Sequence, residues 1–196
     1  MRILTVSDME SDYYYDHYVP GRLDGIDLIL ACGDLPKAYL EFLVTMANRP
    51  LLYVPGNHDD AYASHPPEGC TCIDGRLYEY QGVRFFGLGG SYRYRQGQYL
   101  YTERQMARRV RRARPSITRA GGIDIFISHA PARHLNDLDT MSHRGFECFN
   151  ALIERYHPRY FIHGHIHRSY GMNIPRLTTV GETTVVNACG HWLIDY

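Results

Sequence analysis

Three things are missing from this 196-residue chain: a net charge, a long apolar run and an even set of cysteines. Lys+Arg and Asp+Glu are 21 each, and that cancellation argues against a protein whose main work is holding duplex nucleic acid, which needs a positive surface. A nucleotide as substrate stays open. No stretch of 18 or more apolar residues occurs, so no transmembrane helix and no membrane partner are expected. The opening Met1-Arg2-Ile3-Leu4-Thr5-Val6 reads as a strand from the second residue on, with no signal-peptide region. The cysteines number five, and Cys70 and Cys72 stand too close in an extended stretch for a disulfide framework. Reduced thiols in a cytoplasmic protein are the expectation. Internal repeats, low-complexity segments and linkers are also missing, and the length suits one domain over residues 1–196. What is plentiful is hydrophobic residue, at 44%, which is enough for a substantial core. Histidine and tyrosine, at 11 and 17, are the unusual counts.

Short apolar runs that stop at polar, turn-forming residues recur along the chain. Ile3–Val6 stops at Ser7-Asp8, Asp27–Ala31 at Gly33-Asp34, and Leu51–Val54 at Pro55-Gly56-Asn57-His58. Ile123–Ile127 stops at Ser128-His129, and Arg159–Ile162 at His163-Gly164-His165. Runs this short, without polar alternation, predict strands buried on both faces. Helical patterns lie between them at Pro36–Asn48, Thr102–Arg114 and Arg144–Tyr156, with Glu103 near the start of the second and Pro115 just past its end. Arg76–Tyr80 with Val83–Gly87, and Thr178–Val180 with Thr183–Val186, read as hairpins. The expected class is α/β with a mixed sheet system.

Each strong strand candidate ends in metal-capable residues: Asp8 and Glu10, Asp34, Asn57 and His58, His129, then His165 and His167. Ligands of α/β sheets bind beyond the carboxyl ends of the strands, so five separate ends aim at one region. Gly33-Asp34 and Ser128-His129 taken alone are ordinary turns. Gly164-His165-Ile166-His167 is harder to dismiss, because residues i and i+2 of an extended segment share a face and a buried imidazole pair wants a metal or charged partner.

The ordered set Asp8, Gly33-Asp34, Gly56-Asn57-His58-Asp59, Ser128-His129 and Gly164-His165-Ile166-His167 resembles the calcineurin-like metallophosphoesterase family over essentially the whole chain. That resemblance implies a four-layer αββα sandwich, two mixed β-sheets packed face to face with helices outside. It also implies two divalent metal ions, with Asp34 bridging, Asp8 and His167 on the first, and Asn57, His129 and His165 on the second. Imidazole with carboxylate suits Mn foremost, or Fe, Zn, Ni or Mg. The implied reaction is in-line attack on phosphorus by a hydroxide made acidic by the metals. His58 stabilises charge or protonates the leaving alkoxide. Asp59 either holds the His58 ring or caps a helix.

The family's first motif is Asp-x-His, and here it reads Asp8-Met9-Glu10. Either Glu10 ligates the first metal from the face of Asp8, giving a harder site shifted toward Mn or Mg, or it turns away and that metal lacks a ligand. His17 either folds back to replace it or is a surface residue. Three further residues are candidate substrate contacts. Arg93 can pair with a phosphate, Tyr92 can stack on a base, and His143 lies in the segment after His129. Six arginines (Arg104, Arg108, Arg109, Arg111, Arg112 and Arg114) predict a solvated helix face, with an acidic partner as the alternative. The expected function is hydrolysis of a small phosphodiester or nucleotide-type ester, with nucleic acid not a partner. A catalytically degenerate scaffold on the same fold, its activity lost through Glu10, is the rival. A nuclease using the arginine helix is a third reading.

Overall fold

Apolar runs with no polar alternation need cover on both faces, and the two-sided burial of the central strands accounts for the architecture. The computed structural model describes residues 1–171 and 174–196. Its strands are β1 (Arg2–Ser7), β2 (Leu28–Ala31), β3 (Leu51–Tyr53), β4 (Thr71–Cys72), β5 (Leu77–Tyr80), β6 (Val83–Leu88), β7 (Ser91–Tyr92), β8 (Leu100–Tyr101), β9 (Ile125–Ser128), β10 (Tyr160–His163), β11 (Leu177–Val180), β12 (Thr183–Asn187) and β13 (Gly190–Asp195). Its helices are α1 (Lys37–Ala47), α2 (Glu103–Arg119) and α3 (Glu147–Tyr156). One sheet runs β13-β1-β2-β3-β4 and the other β11-β12-β10-β9-β6-β5. The inner strands pair in parallel, while β13 and both hairpins add antiparallel edges. No helix among the described residues is long and apolar enough to cross a membrane.

Neighbouring residues of one strand feed different cores. Leu28 and Leu30 of β2 pack between the sheets with Ile125 and Ile127 of β9. Ile29 and Ala31 point the other way, onto Tyr39, Leu40 and Leu43 of α1. On the second sheet Phe126 and Phe161 face away from the first, against Met106, Val110, Phe149 and Leu152 of α2 and α3. Three apolar seams between four layers follow from that alternation, the αββα arrangement anticipated above. Register keeps the strand ends level: Val6 lies opposite Ala31, Ala31 opposite Tyr53, and His163 opposite Ser128.

Helix α2 corrects the sequence reading. It does not stop before Pro115 but passes through it to Arg119. The bond that proline forfeits is the one to the carbonyl of Arg111, an exposed residue, and the added turn buries Ile117 completely. Its start is fixed by a capping box between Thr102 and Gln105. Arg104, Arg108, Arg111, Arg112 and Arg114 are exposed, whereas Arg109 turns in to Asp74 at 2.5 Å and the Gly89 carbonyl at 3.0 Å. The short strands β4, β7 and β8 and the edge strand β13 had no sequence signal.

At the strand starts, far from the level ends, Arg84 locks β6 to the entry of β9. Its backbone N–H donates to Asp124 Oδ2 at 2.8 Å, and its Nε and a terminal nitrogen donate to the two carboxylate oxygens at 2.7 Å each. Those bonds hold the Asp124 carboxyl below its usual value. A depressed carboxylate contributes stability above its unfolded pKa and loses it as pH falls through the folded one. Asp124→Asn is therefore expected to cost about 1–3 kcal/mol near neutral pH. In paired urea melts that deficit should shrink below about pH 4.

Candidate metal centre

The level strand ends put five loops side by side, and three of the loops carry a left-handed non-glycine residue within three positions of the strand end. Asp8, Asp34 and His165 have φ of 64°, 55° and 67°, a conformation that costs a non-glycine residue of order 1–2 kcal/mol. Such strain persists only where the surroundings over-determine it. Here each residue is tied by its backbone. The Asp8 N–H donates to the Gly33 carbonyl at 3.1 Å, the Asp34 N–H to Asp59 Oδ2 at 2.9 Å, and the His165 N–H to both Asp8 oxygens at 3.0 and 2.9 Å. Two glycines permit the approach. A Cβ on Gly56 would collide with the Asp34 carboxylate, and one on Gly164 with Ser7 and with Asp8 Oδ2.

Donor atoms of Asp34, His129 and His165 all lie within 4.8 Å of one another. His129 Nε2 is 3.3 Å from Asp34 Oδ2 and 3.0 Å from Asn57 Oδ1, while its Nδ1 is 2.8 Å from the Cys32 carbonyl. A carbonyl only accepts, so Nδ1 carries the proton. That aims Nε2 at two oxygens, an arrangement that requires a second proton or a cation. Burial pushes His129 down, but the charge and hydrogen bond of Asp34 outweigh it and hold the imidazole at about 9. His165 differs. Burial and the nearby His129 push it down to about 3, so its ring is neutral. Its Nε2 donates to the Ser142 carbonyl at 2.7 Å, which leaves the Nδ1 lone pair available. Beside this group, His167 Nε2 stands 3.8 Å from Asp8 Oδ1. The Asp8 side chain is 1% exposed, and burial raises its pKa. Two carboxylates, an amide oxygen and imidazole nitrogens converge here with only the His129 proton between Asp34 and the second ring, and a divalent cation taking that proton's place would meet oxygen and nitrogen donors suited to it.

The remaining residues fall into place or out of it. His58 is 65% exposed on its side chain, with Nε2 4.0 Å from Asp34 Oδ2 and its backbone N–H donating to Asp34 Oδ1 at 2.7 Å. Asp59 is a correction, since it neither holds the His58 ring nor caps the short 3-10 turn after it. Its Oδ2 accepts the N–H groups of Asp34 and Gly56, at 2.9 and 2.7 Å, because the chain turns back and drives the carboxylate inward. Glu10 is exposed and takes part in none of these contacts. His17 is exposed too, engaged through its carbonyl by Arg22.

Arg93 and Tyr92 are also corrected. The Arg93 guanidinium is taken by the Leu100 carbonyl and Gln105 Oε1, at 3.3 and 3.0 Å, and the Tyr92 ring packs on Phe146. Arg93 thereby ties β8 to α2, and Tyr92 packs β7 on the residue that precedes α3. His143 does reach the centre: its ring centroid is 5.3 Å from that of His165, with Nδ1 held by Thr140 and Ser142. Sequence reasoning missed Tyr170, half exposed, its ring 4.8 Å from His143 and 4.9 Å from His167. It closes a three-residue 3-10 turn, Arg168–Tyr170, directly after the last strand-end motif, too short to show a period in sequence. It also missed Ser7, whose hydroxyl donates to the Cys32 and Gly33 carbonyls and ties the first two loops together.

Comparison with known proteins agrees with this geometry. Two curated relatives come from Caenorhabditis elegans. UPF0046 protein T07D4.2 is 33% identical over 70 residues, 35% of this chain and 16% of its own length. UPF0046 protein C25E10.12 is 27% identical over 139 residues, 63% of this chain and 43% of its own length. The matches thus span less than half of those relatives. Among solved structures, TT1561 of Thermus thermophilus superposes with a TM-score of 0.63 at 16% identity, covering 96% of this chain and 89% of that one. GAP50, described as the anchor in the inner membrane complex of Plasmodium, gives 0.58 at 11% identity, covering 97% and 71%. At such identities these two show a shared fold. The calcineurin-like phosphoesterase superfamily domain matches residues 1–191, and the chain belongs to that superfamily.

Proposed function

We propose that the chain is a divalent-metal-dependent phosphoesterase acting on a small phosphodiester or nucleotide-type ester. The observation that carries this reading is the convergence of Asp34, Asn57, His129 and His165 on one point, with the Asp8–His167 pair beside it. Asp34, Asn57, His129 and His165 would hold one cation and Asp8, His167 and Asp34 the other, manganese being the first choice for these donors. When bound, such a pair supplies a water acidic enough to attack phosphorus near neutral pH and positive charge for the phosphoryl oxygens. Asn57 is a neutral donor and limits the negative charge facing a phosphate. His58, exposed beside Asp34, is free to give a proton to the departing alkoxide. Asp59 fixes the loops carrying Asp34 and Asn57 through two backbone N–H groups, a positioning role. Five free cysteines favour the reducing cytoplasm as its compartment.

Hydrolysis of bis(p-nitrophenyl) phosphate with added Mn²⁺ tests the reading. His58→Ala is expected to lower kcat by about 10²–10⁴-fold with metal content unchanged, because its ring stands at the rim of the donor cluster. No turnover with any divalent cation, or full turnover in both His58→Ala and Asn57→Ala, would favour the scaffold reading instead.

A further inference from the structure

A groove of about 470 Å³ opens at the start of β13, lined by Tyr14, Arg176, Cys189, His191 and Trp192. It adjoins the metal centre. Gly190 pairs with Ser7, the residue before Asp8, and the Cys189 thiol feels the charges of both Asp8 and Arg176. Trp192 lies opposite Thr5, three residues back from Asp8, or ~10 Å along the strand.

Trp192 keeps 38% of its surface exposed, and the Arg176 guanidinium lies 5.4 Å from its ring centroid. One terminal nitrogen of Arg176 donates to the Asn187 and Cys189 carbonyls, at 2.7 and 2.8 Å, which fixes the group in place. Its Nε is buried with no hydrogen-bond partner. No carboxylate among the described residues pairs with Arg176, and both burial and neighbouring Arg168 disfavour its charge. A fixed guanidinium lacking an anion, beside an accessible indole, matches a phosphate joined to a flat ring.

We propose that this groove holds the nucleotide portion of a phosphodiester substrate, the base stacked on Trp192 and its own phosphate paired with Arg176. The inference rests on the phosphoesterase reading and narrows its substrate to an ester in which a nucleotide that keeps a phosphate of its own is one of the two linked groups, as in a dinucleotide with a terminal phosphate. The ester to be cleaved lies at the metal centre and the nucleotide extends past Cys189.

Trp192 is the sole tryptophan of the chain, so its fluorescence reports on the groove alone. Titration of the full chain with AMP is expected to quench it saturably, with Mn²⁺ and equally in excess EDTA, since neither Arg176 nor Trp192 is a metal ligand. Adenosine should bind about tenfold or more weakly, and Arg176→Ala should weaken AMP by a similar factor, with Arg176→Lys between. If Arg176→Ala does not fold, equilibrium dialysis of labelled AMP against Trp192→Ala carries the test, with at least about a fivefold loss expected. Absence of saturable quenching at millimolar AMP, or AMP affinity unchanged in Arg176→Ala, overturns the proposal. The two readings fail separately. Ester hydrolysis without AMP binding removes the groove assignment alone, whereas AMP binding without hydrolysis removes the phosphoesterase reading.

Discussion

Asp34→Asn is expected to abolish measurable phosphodiester hydrolysis, a loss of at least about 10²–10³-fold, and to empty the metal centre in elemental analysis of the purified protein. Asp34 is the hub of the cluster. Its Oδ2 faces His129 Nε2 at 3.3 Å and the His58 ring at 4.0 Å, and its Oδ1 accepts the His58 N–H at 2.7 Å. Burial opposes its ionisation, yet the His129 charge and hydrogen bond more than compensate and keep it ionised. The amide is isosteric, so the left-handed backbone and the Asp59 clamp survive while the negative charge goes. Folding should therefore be retained and function lost. Wild-type turnover in Asp34→Asn, with metal still bound, would remove the carboxylate from the proposed chemistry.

Metal binding should also show as stability. The Asp8 and Asp34 side chains are 1% and 11% exposed and their cationic neighbours are histidines, and such groups are costly to bury without a compensating charge. A cation that binds the folded chain and not the unfolded one adds about 4 kcal/mol at a thousandfold excess over Kd. For a domain of this size that is roughly 8–15 °C in Tm. Thermal melts in EDTA and with Mn²⁺, Zn²⁺, Ni²⁺ or Fe²⁺ should separate by that amount, and Asp34→Asn should close most of the gap. Melting temperatures indifferent to all four cations would leave the cluster as a structural network of hydrogen bonds.

Much of this was legible beforehand for a physical reason. Each strand that carries a ligand is buried on both faces, so it reads as an uninterrupted apolar run, and its polar end stands out against it. Asp34, Asn57, His129 and His165 were identified in that way, and the structure brings them together. The pattern is silent where geometry comes from backbone turns. Sequence suggests Asp59 as a partner of the His58 ring or as a helix cap, but the chain folds back and gives its carboxylate to the N–H groups of Asp34 and Gly56. Arg93 looked like a phosphate ligand because it follows a glycine-rich turn, yet Leu100 and Gln105 claim it from a neighbouring strand and helix. Pro115 looked like a stop because local propensity disfavours proline inside a helix, and the tertiary burial of Ile117 overrode it. Tyr170 sits in a single 3-10 turn, too short for any periodicity to show.

The alternating assignment of strand residues to separate seams has an evolutionary consequence. A one-residue insertion or deletion inside β2 or β9 would exchange the contents of two cores at once, sending the small Ala31 into a slot shaped for leucine and the Phe126 ring between the sheets. It would also carry the attached loop about 3.3 Å along the sheet, a displacement comparable to the spacing between Asp34 and His129. Length variation in descendants of this chain should therefore concentrate outside the central strands, in the segments at 11–27 and 93–99, while strand lengths stay fixed.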